Sequence, residues 1–266
     1  MSPSEFAALA LHGHARNIKN VERIKHGLTN ESWLVTLGSE TVVVRISNPA
    51  DASLQIDRQS ETTILHAVAA ADIGPPILLC DPSQRVLVTR YLGPTWTDAD
   101  AQKVENISRL GIVLRRLHAL QPPAGVHRVK LVDVIDDYAA TLSLSAAERN
   151  DSHDEARVTA TFLDAAAHRC LCHNDVHALN IVDAAGALRL IDWEYAGVGS
   201  PLFDLASVCV YHGYSEAQRE QLLSSYGRRP SSMEPLSMDA LERACGLFDY
   251  VRQLWTQVRS TDGAGS

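Results

Sequence analysis

Polar and apolar positions in the first ninety or so residues alternate in short runs. Ser32 to Leu37 and Thr41 to Ile46 are rich in β-branched residues and flank Gly38-Ser39-Glu40, which predicts a hairpin. From about Asp57 to Ala71 the period changes. Ile64, Leu65, Val68 and Ala69 recur at helical spacing, and Asp72-Ile73-Gly74-Pro75-Pro76 stops the run. Ile77 to Cys80 and Arg85 to Tyr91 return to strand composition around the turn Asp81-Pro82-Ser83. Beyond Gly93-Pro94 the pattern becomes helical. Asp100 to Leu120 carries Val104, Ile107, Leu110, Gly111, Leu114 and Leu117 on one face and ends at Gln121-Pro122-Pro123. Further helices are expected at Leu131 to Ala140 and Leu241 to Val258, with residues 145–156 an exposed helix or a loop. Two short apolar runs, Cys170 to Cys172 and Leu188 to Ile191, interrupt them.

The pattern therefore predicts an α+β chain in two lobes. Residues 1–93 form a small antiparallel β lobe with one helix, and residues 94–260 a larger, mainly helical lobe. Residues 261–266 are small and polar and are expected to be a disordered tail.

Composition narrows the classes of partner. Of 266 residues, 45% are hydrophobic and 21% charged, and the formal net charge is −8. That balance suits a globular protein and a cationic ligand, and argues against nucleic acid or an anionic membrane surface. No apolar stretch is long enough to span a bilayer, and the N-terminus has no basic leader, so a cytoplasmic location is expected. The five cysteines (Cys80, Cys170, Cys172, Cys209 and Cys245) are an odd number and are expected to be reduced thiols. Cys170-Leu171-Cys172-His173 lacks a second ligand pair at zinc-like spacing and reads as alternation in a buried strand.

The chemistry is concentrated in His173-Asn174-Asp175-Val176-His177-Ala178-Leu179-Asn180, followed by Leu190-Ile191-Asp192-Trp193-Glu194. Phosphoryl transfer needs one Asp to orient or accept the proton of an attacking hydroxyl, and an Asn and a second Asp to hold Mg²⁺ against the phosphates. A short loop puts Asp175 and Asn180 at one mouth, and a hairpin returns Asp192 to the same place. Taken singly, each is an ordinary polar or turn residue; in this order and spacing they predict a kinase. His173 is expected to support the loop, while His177 is either an exposed spacer or a substrate contact.

The small lobe should supply a cation with a partner. Val42-Val43-Val44-Arg45-Ile46 matches the strand that carries a phosphate-binding Lys in V-A-I-K, and Glu61 on the next helix is placed to pair with Arg45. The alternative is a surface strand arginine. Lys25 to Ser32 falls where a phosphate-covering loop belongs, so Thr29, Asn30 and Ser32 are candidates for nucleotide contact. Arg90 and Leu92, in Val88 to Gly93, should form the hinge that meets adenine.

These stretches, with Gly27-Leu28-Thr29-Asn30 and Ile191-Asp192-Trp193-Glu194-Tyr195-Ala196-Gly197, resemble the aminoglycoside phosphotransferase superfamily, and within it bacterial choline, ethanolamine and thiamine kinases. The resemblance implies a two-lobed protein-kinase-like fold and a small-molecule kinase using ATP and Mg²⁺. Asp175 would be the catalytic base, Asn180 and Asp192 the metal ligands, and Arg45 with Glu61 would position the phosphates. Asp204 would brace the catalytic loop, the alternative being a helix N-cap. The substrate would be a small, cationic alcohol. Glu194, Tyr195, Tyr211, Tyr250 and Trp255 are candidates to hold it, the alternative for the aromatics being core. An aminoglycoside or sugar phosphotransferase ranks lower, because those enzymes usually carry Gly where this chain has Asn174. A pseudokinase finds no support, since every catalytic position is filled.

Overall fold

Val35, Val42, Val44, Val86 and Val88 are buried on one face of a five-stranded antiparallel sheet, the β-branched residues that pack well on a pleated surface. In the computed structural model of the protein, residues 1–12, 17–24, 30–47, 56–145, 148–166, 169–227 and 236–263 are described. Strands β1 (Ile18–Ile24), β2 (Asn30–Leu37), β3 (Glu40–Ser47), β4 (Ile77–Asp81) and β5 (Val86–Arg90) pair in the order β1-β2-β3-β5-β4. The expected hairpin is β2–β3, closed at Leu37↔Glu40, and its register sets Ser32 opposite Arg45.

The expected single helix of this sheet is α2 (Arg58–Ala70), capped by the Asp57 side chain on the Gln59 and Ser60 amides. A second one, α1 (Pro3–Ala10), corrects that expectation. Ser2 and Glu5 form a capping box, Pro3 occupies the first turn, and Phe6 and Ala7 pack against the valines of the sheet.

The chain divides into two compact units: Met1–Thr95 with Ile181–Tyr195, and Trp96–Asn180 with Ala196–Ser266. The hairpin β7 (Ile181–Ala184) and β8 (Ala187–Leu190) thus belongs with the sheet. Leu190 N donates to Ile73 O at 2.8 Å, Thr95 bridges Val182, and Arg189 donates to the Asp72 carbonyl.

In the second unit the long helix expected over 100–120 is two helices. Thr97 and Asp100 form a capping box for α3 (Asp98–Ala101), and α4 (Val104–His118) restarts after Lys103. α5 (Leu131–Thr141) lies near its expected place, and of the stretch 145–156, expected as a helix or a loop, residues 151–156 are helical in α6 (Asp151–Ala165), capped by Asn150, while 148–150 are not. Strands β6 (Cys170–Cys172) and β9 (Gly197–Gly199) pair antiparallel. Then come α7 (Pro201–Tyr211), α8 (Glu216–Tyr226) and α9 (Met238–Gly263). α9 carries helical backbone to Gly263, into the stretch expected to be a tail; residues 264–266 lie outside the described ones.

α4 and α8 pack at close range because Gly111 has no side chain. A Cβ there would stand 2.7 Å from Tyr226 N and 2.9 Å from Leu222 O. Gly111→Ala is therefore expected to destabilise the fold by about 1–3 kcal/mol through backbone overpacking. An unchanged denaturation midpoint in urea would contradict this packing.

Candidate active site

α7 begins beside the chain that leaves β6, and its first turn carries Asp204, which is fully buried. A carboxylate without water must find donors in the protein. It takes His173 N on Oδ2 at 2.9 Å, Asn174 N on Oδ1 at 2.6 Å, and lies 2.9 Å from His118 Nε2. His118 Nδ1 lies 2.9 Å from the Tyr226 hydroxyl. One turn further, Ser207 Oγ accepts from Val176 N at 3.3 Å and donates to Asp204 O. The Asp175 amide reaches His173 Nδ1 at 3.3 Å. Four successive loop amides, 173 to 176, thus end on side chains, three of them on Asp204 and Ser207 of one helix.

Bringing adjacent amides onto one carboxylate forces a tight turn, and Asn174 adopts φ 67°. The Asp175 side chain, 22% exposed, leaves that turn. Tyr211 donates to its Oδ1 at 2.8 Å, Asn180 Nδ2 donates to its Oδ2 at 3.1 Å and to its carbonyl, and His177 Nε2 is 3.5 Å from Oδ2. Burial alone pushes the Asp175 carboxyl up. The His177 hydrogen bond and charge, the His173 charge and the Tyr211 hydroxyl outweigh it and hold the group below its ordinary 3.8. Conversely, burial and the neighbouring Asp175 charge push the Tyr211 phenol well up. The Asn180 amide nitrogen faces Asp175, which leaves its oxygen as the donor atom for a cation. Asn180 itself closes a short 3₁₀ turn (Ala178–Asn180).

In the first unit, Arg45 on β3 is buried against Glu61 of α2. Nη2 donates to Oε2 at 2.8 Å, and Nη1 stands 2.7 Å from Oε1. Nη1 also donates to Asp192 Oδ1 at 3.3 Å. Burial opposes the Arg45 charge, but Glu61 and then Asp192 and Glu194 raise its pKa above the ordinary value. Burial likewise pushes Glu61 up, while Arg45 and Arg58 bring it down below its usual range. Asp192 takes φ 64° and its side chain is 38% exposed. Within the first unit Ile181 pairs with Leu190, which closes the open end of the β7–β8 hairpin two residues before Asp192.

The other expected residues are placed as follows. Ser32 is half-buried beside Arg45 in register, and Thr29 lies outside the described residues. Asn30 Nδ2 donates to Glu194 Oε2 at 2.7 Å, and Glu194, buried, also meets Arg58. The Arg90 and Tyr91 amides go to the Pro76 and Thr41 carbonyls, the Arg90 side chain pairs with Glu40, and Leu92 follows, half-buried. Of the substrate candidates, Tyr211 is brought to Asp175 and its ring packs on His177 and Phe248 at 4.9 and 5.4 Å. Tyr250 meets His153 at 2.8 Å, Trp255 lies under Arg259, and Tyr195 is half-buried in the first unit. Cys170, Cys172 and His118 place three ligand-type atoms within 4.8 Å. Both His118 nitrogens are engaged, however, and burial pushes the Cys172 thiol up, so the cluster is structural.

Residues 20–236 match the sequence pattern of the group described as the phosphotransferase enzyme family. The chain belongs to that family. It is therefore an enzyme, a small-molecule kinase. Protein LicA of Haemophilus influenzae is 26% identical over 250 residues, which is 89% of this chain and 73% of that protein. The thiamine kinase of Salmonella paratyphi B is 41% identical over 87 residues, 33% of this chain and 24% of that enzyme. In fold, the chain is like the choline kinase LicA of Streptococcus pneumoniae, with TM-score 0.79 and 21% identity over 98% of this chain and 90% of that one.

In this phosphotransferase the left-handed φ at Asn174 is one that favours Gly and tolerates Asn. Asn174→Gly is expected to leave stability nearly unchanged and Asn174→Ala to cost about 1–2 kcal/mol. Equal denaturation midpoints for the two variants would refute the backbone account.

A second outcome concerns pH. With its carboxyl held below 3.8, Asp175 stays ionised through the neutral range and loses its charge only in strong acid. Tyr211→Phe removes one of the groups that lower it, so the acid limb of kcat/KM should move to higher pH. A limb that stays in place, read from a pH–rate profile, would show that the Tyr211 hydroxyl does not tune the base.

Proposed function

We propose that this phosphotransferase moves the γ-phosphoryl group of ATP, with Mg²⁺, to the hydroxyl of a small cationic alcohol of the choline, ethanolamine or thiamine type. The observation that carries the reading is the Asp175 carboxylate. It is ionised, partly open and fixed by Asn180, Tyr211 and His177 on a loop whose amides are all satisfied from α7 and His173. Such a group accepts the hydrogen bond of an acceptor hydroxyl and takes its proton as the new O–P bond forms and the bond to the bridging oxygen breaks.

The residues present fit a divalent cation. Around Arg45 and Arg58 stand Glu61, Asp192 and Glu194, three carboxylates against two guanidinium groups, and only Asp192 among the three is open. Asp192 and the Asn180 oxygen would hold Mg²⁺, whose charge would offset that of the phosphates. Arg45, fixed on Glu61, meets the phosphates with a planar fork, Ser32 stands beside it, and the Leu92 segment meets adenine. Positioning and charge neutralisation supply most of the rate.

A cationic acceptor is supported by three features: the formal net charge of −8, the 26% likeness to LicA along most of the chain and the shorter thiamine kinase match, and the ring group Tyr211, His177 and Phe248 beside Asp175. The test is ADP release from Mg-ATP with choline, ethanolamine, thiamine, an aminoglycoside and an amino sugar. One cationic alcohol should be strongly preferred, and Asp175→Asn should lower its turnover by roughly 10²–10⁴-fold. Equal rates for the Asn variant would remove Asp175 from the base role, and preference for the aminoglycoside would overturn the substrate class.

A further inference from the structure

Arg58 is a half-buried guanidinium with no role of its own in the phosphoryl-transfer scheme above, its side chain 14% exposed. It occupies the first position of α2, directly after the Asp57 cap. A cation there opposes the helix dipole.

Its partners lie on three segments far apart in the chain. Nη1 donates to Glu61 Oε2 at 2.8 Å on its own helix. Nη2 donates to Asn30 Oδ1 at 2.9 Å, at the start of β2, and to Glu194 Oε2 at 3.3 Å. Asn30 closes a ring by donating to the same Glu194 oxygen at 2.7 Å. Glu61 Oε2 is thereby shared between Arg58 and Arg45, both at 2.8 Å. Glu194 in turn lies two residues from Asp192, whose Oδ1 touches Arg45.

We infer that Arg58 is a positioning residue for Mg-nucleotide binding. It shares the Glu61 Oε2 atom with Arg45, so a Glu61 carboxylate fixed by Arg58 keeps the Arg45 fork in one orientation. It also tethers Glu194, which limits where Asp192 sits, and Asn30, the first described residue within the Lys25 to Ser32 stretch expected to cover the phosphates. The planar fork of an arginine reaches all three acceptors, whereas a lysine ammonium on a flexible stem would hold fewer of them in place. The inference rests on the kinase reading above, because it assigns Arg58 to the nucleotide rather than to the acceptor.

The test compares wild type, Arg58→Lys and Arg58→Gln by calorimetric binding of Mg-ATP, by KM for Mg-ATP and for the acceptor, by kcat and by thermal midpoint. Arg58→Gln should raise Kd and KM for Mg-ATP about tenfold or more, about 1.4 kcal/mol, with acceptor KM unchanged. Arg58→Lys, which keeps the charge and the fold, should fall between that variant and wild type. Variants that lose only thermal midpoint, with wild-type KM for Mg-ATP, would show a purely structural residue and overturn the inference. So would a parallel rise in acceptor KM. Wild type that binds no Mg-ATP would overturn the kinase reading itself, and the inference with it.

Discussion

The Asp204 carboxylate has no access to water, and what satisfies it shapes the loop that holds Asp175. Two of its donors are consecutive backbone amides, so the chain must turn around it. That turn places Asn174 in a left-handed conformation and directs Asp175 out of it, toward Tyr211, His177 and Asn180. The third donor, His118, is anchored from behind by Tyr226, whose helix is held close by the absence of a side chain at Gly111. The Asp175 carboxylate is thus set by packing between α4 and α8, through a chain of buried polar contacts that are costly to leave half made.

The Arg45–Glu61–Arg58–Glu194 group follows a different logic. Burying charges is expensive, and an apolar set of similar volume is often at least as stable, so ion pairs of this kind are weak stability devices. What they supply is orientation. A guanidinium fixed on one face by Glu61 presents the rest of its fork in a defined direction, with no reorganisation when an anion arrives. Asp192, the open carboxylate of the group, shares Arg45 with Glu61, so the guanidinium and the open carboxylate are aligned by one contact set.

Much of this was legible in the chain because it is local. The H-x-D-x-x-x-x-N spacing and the strand ending in Asp192 follow from a loop and a hairpin, and the Arg45 to Glu61 relation from one strand and the next helix. The valine alternation announced the sheet. What escaped depends on contacts between distant segments. His118, Ser207 and Tyr226 meet the loop only through tertiary packing, and Arg58 meets Asn30 and Glu194 the same way. Glu194 and Tyr250, read as substrate candidates from their chemistry, are engaged by Arg58 and His153. α1 had a readable signal in its Ser2/Glu5 capping box, although its apolar stretch is short. The left-handed backbone at Asn174 was not legible either, because it follows from Asp204 gathering adjacent amides across 30 residues of chain.

One feature of the topology bears on how the protein is made. The first unit is not a continuous stretch of chain; it takes in Ile181–Tyr195, whose strand β8 donates to Ile73. On the ribosome, at about 5–20 residues per second, the first unit therefore waits several seconds for its hairpin after its five-stranded sheet has emerged. Throughout that interval Ile73 O and the Asp72 carbonyl have no Leu190 or Arg189 to meet. The first unit stays unfinished until the His173 to Asn180 loop has been made, so its completion is tied by chain order to the synthesis of Asp175.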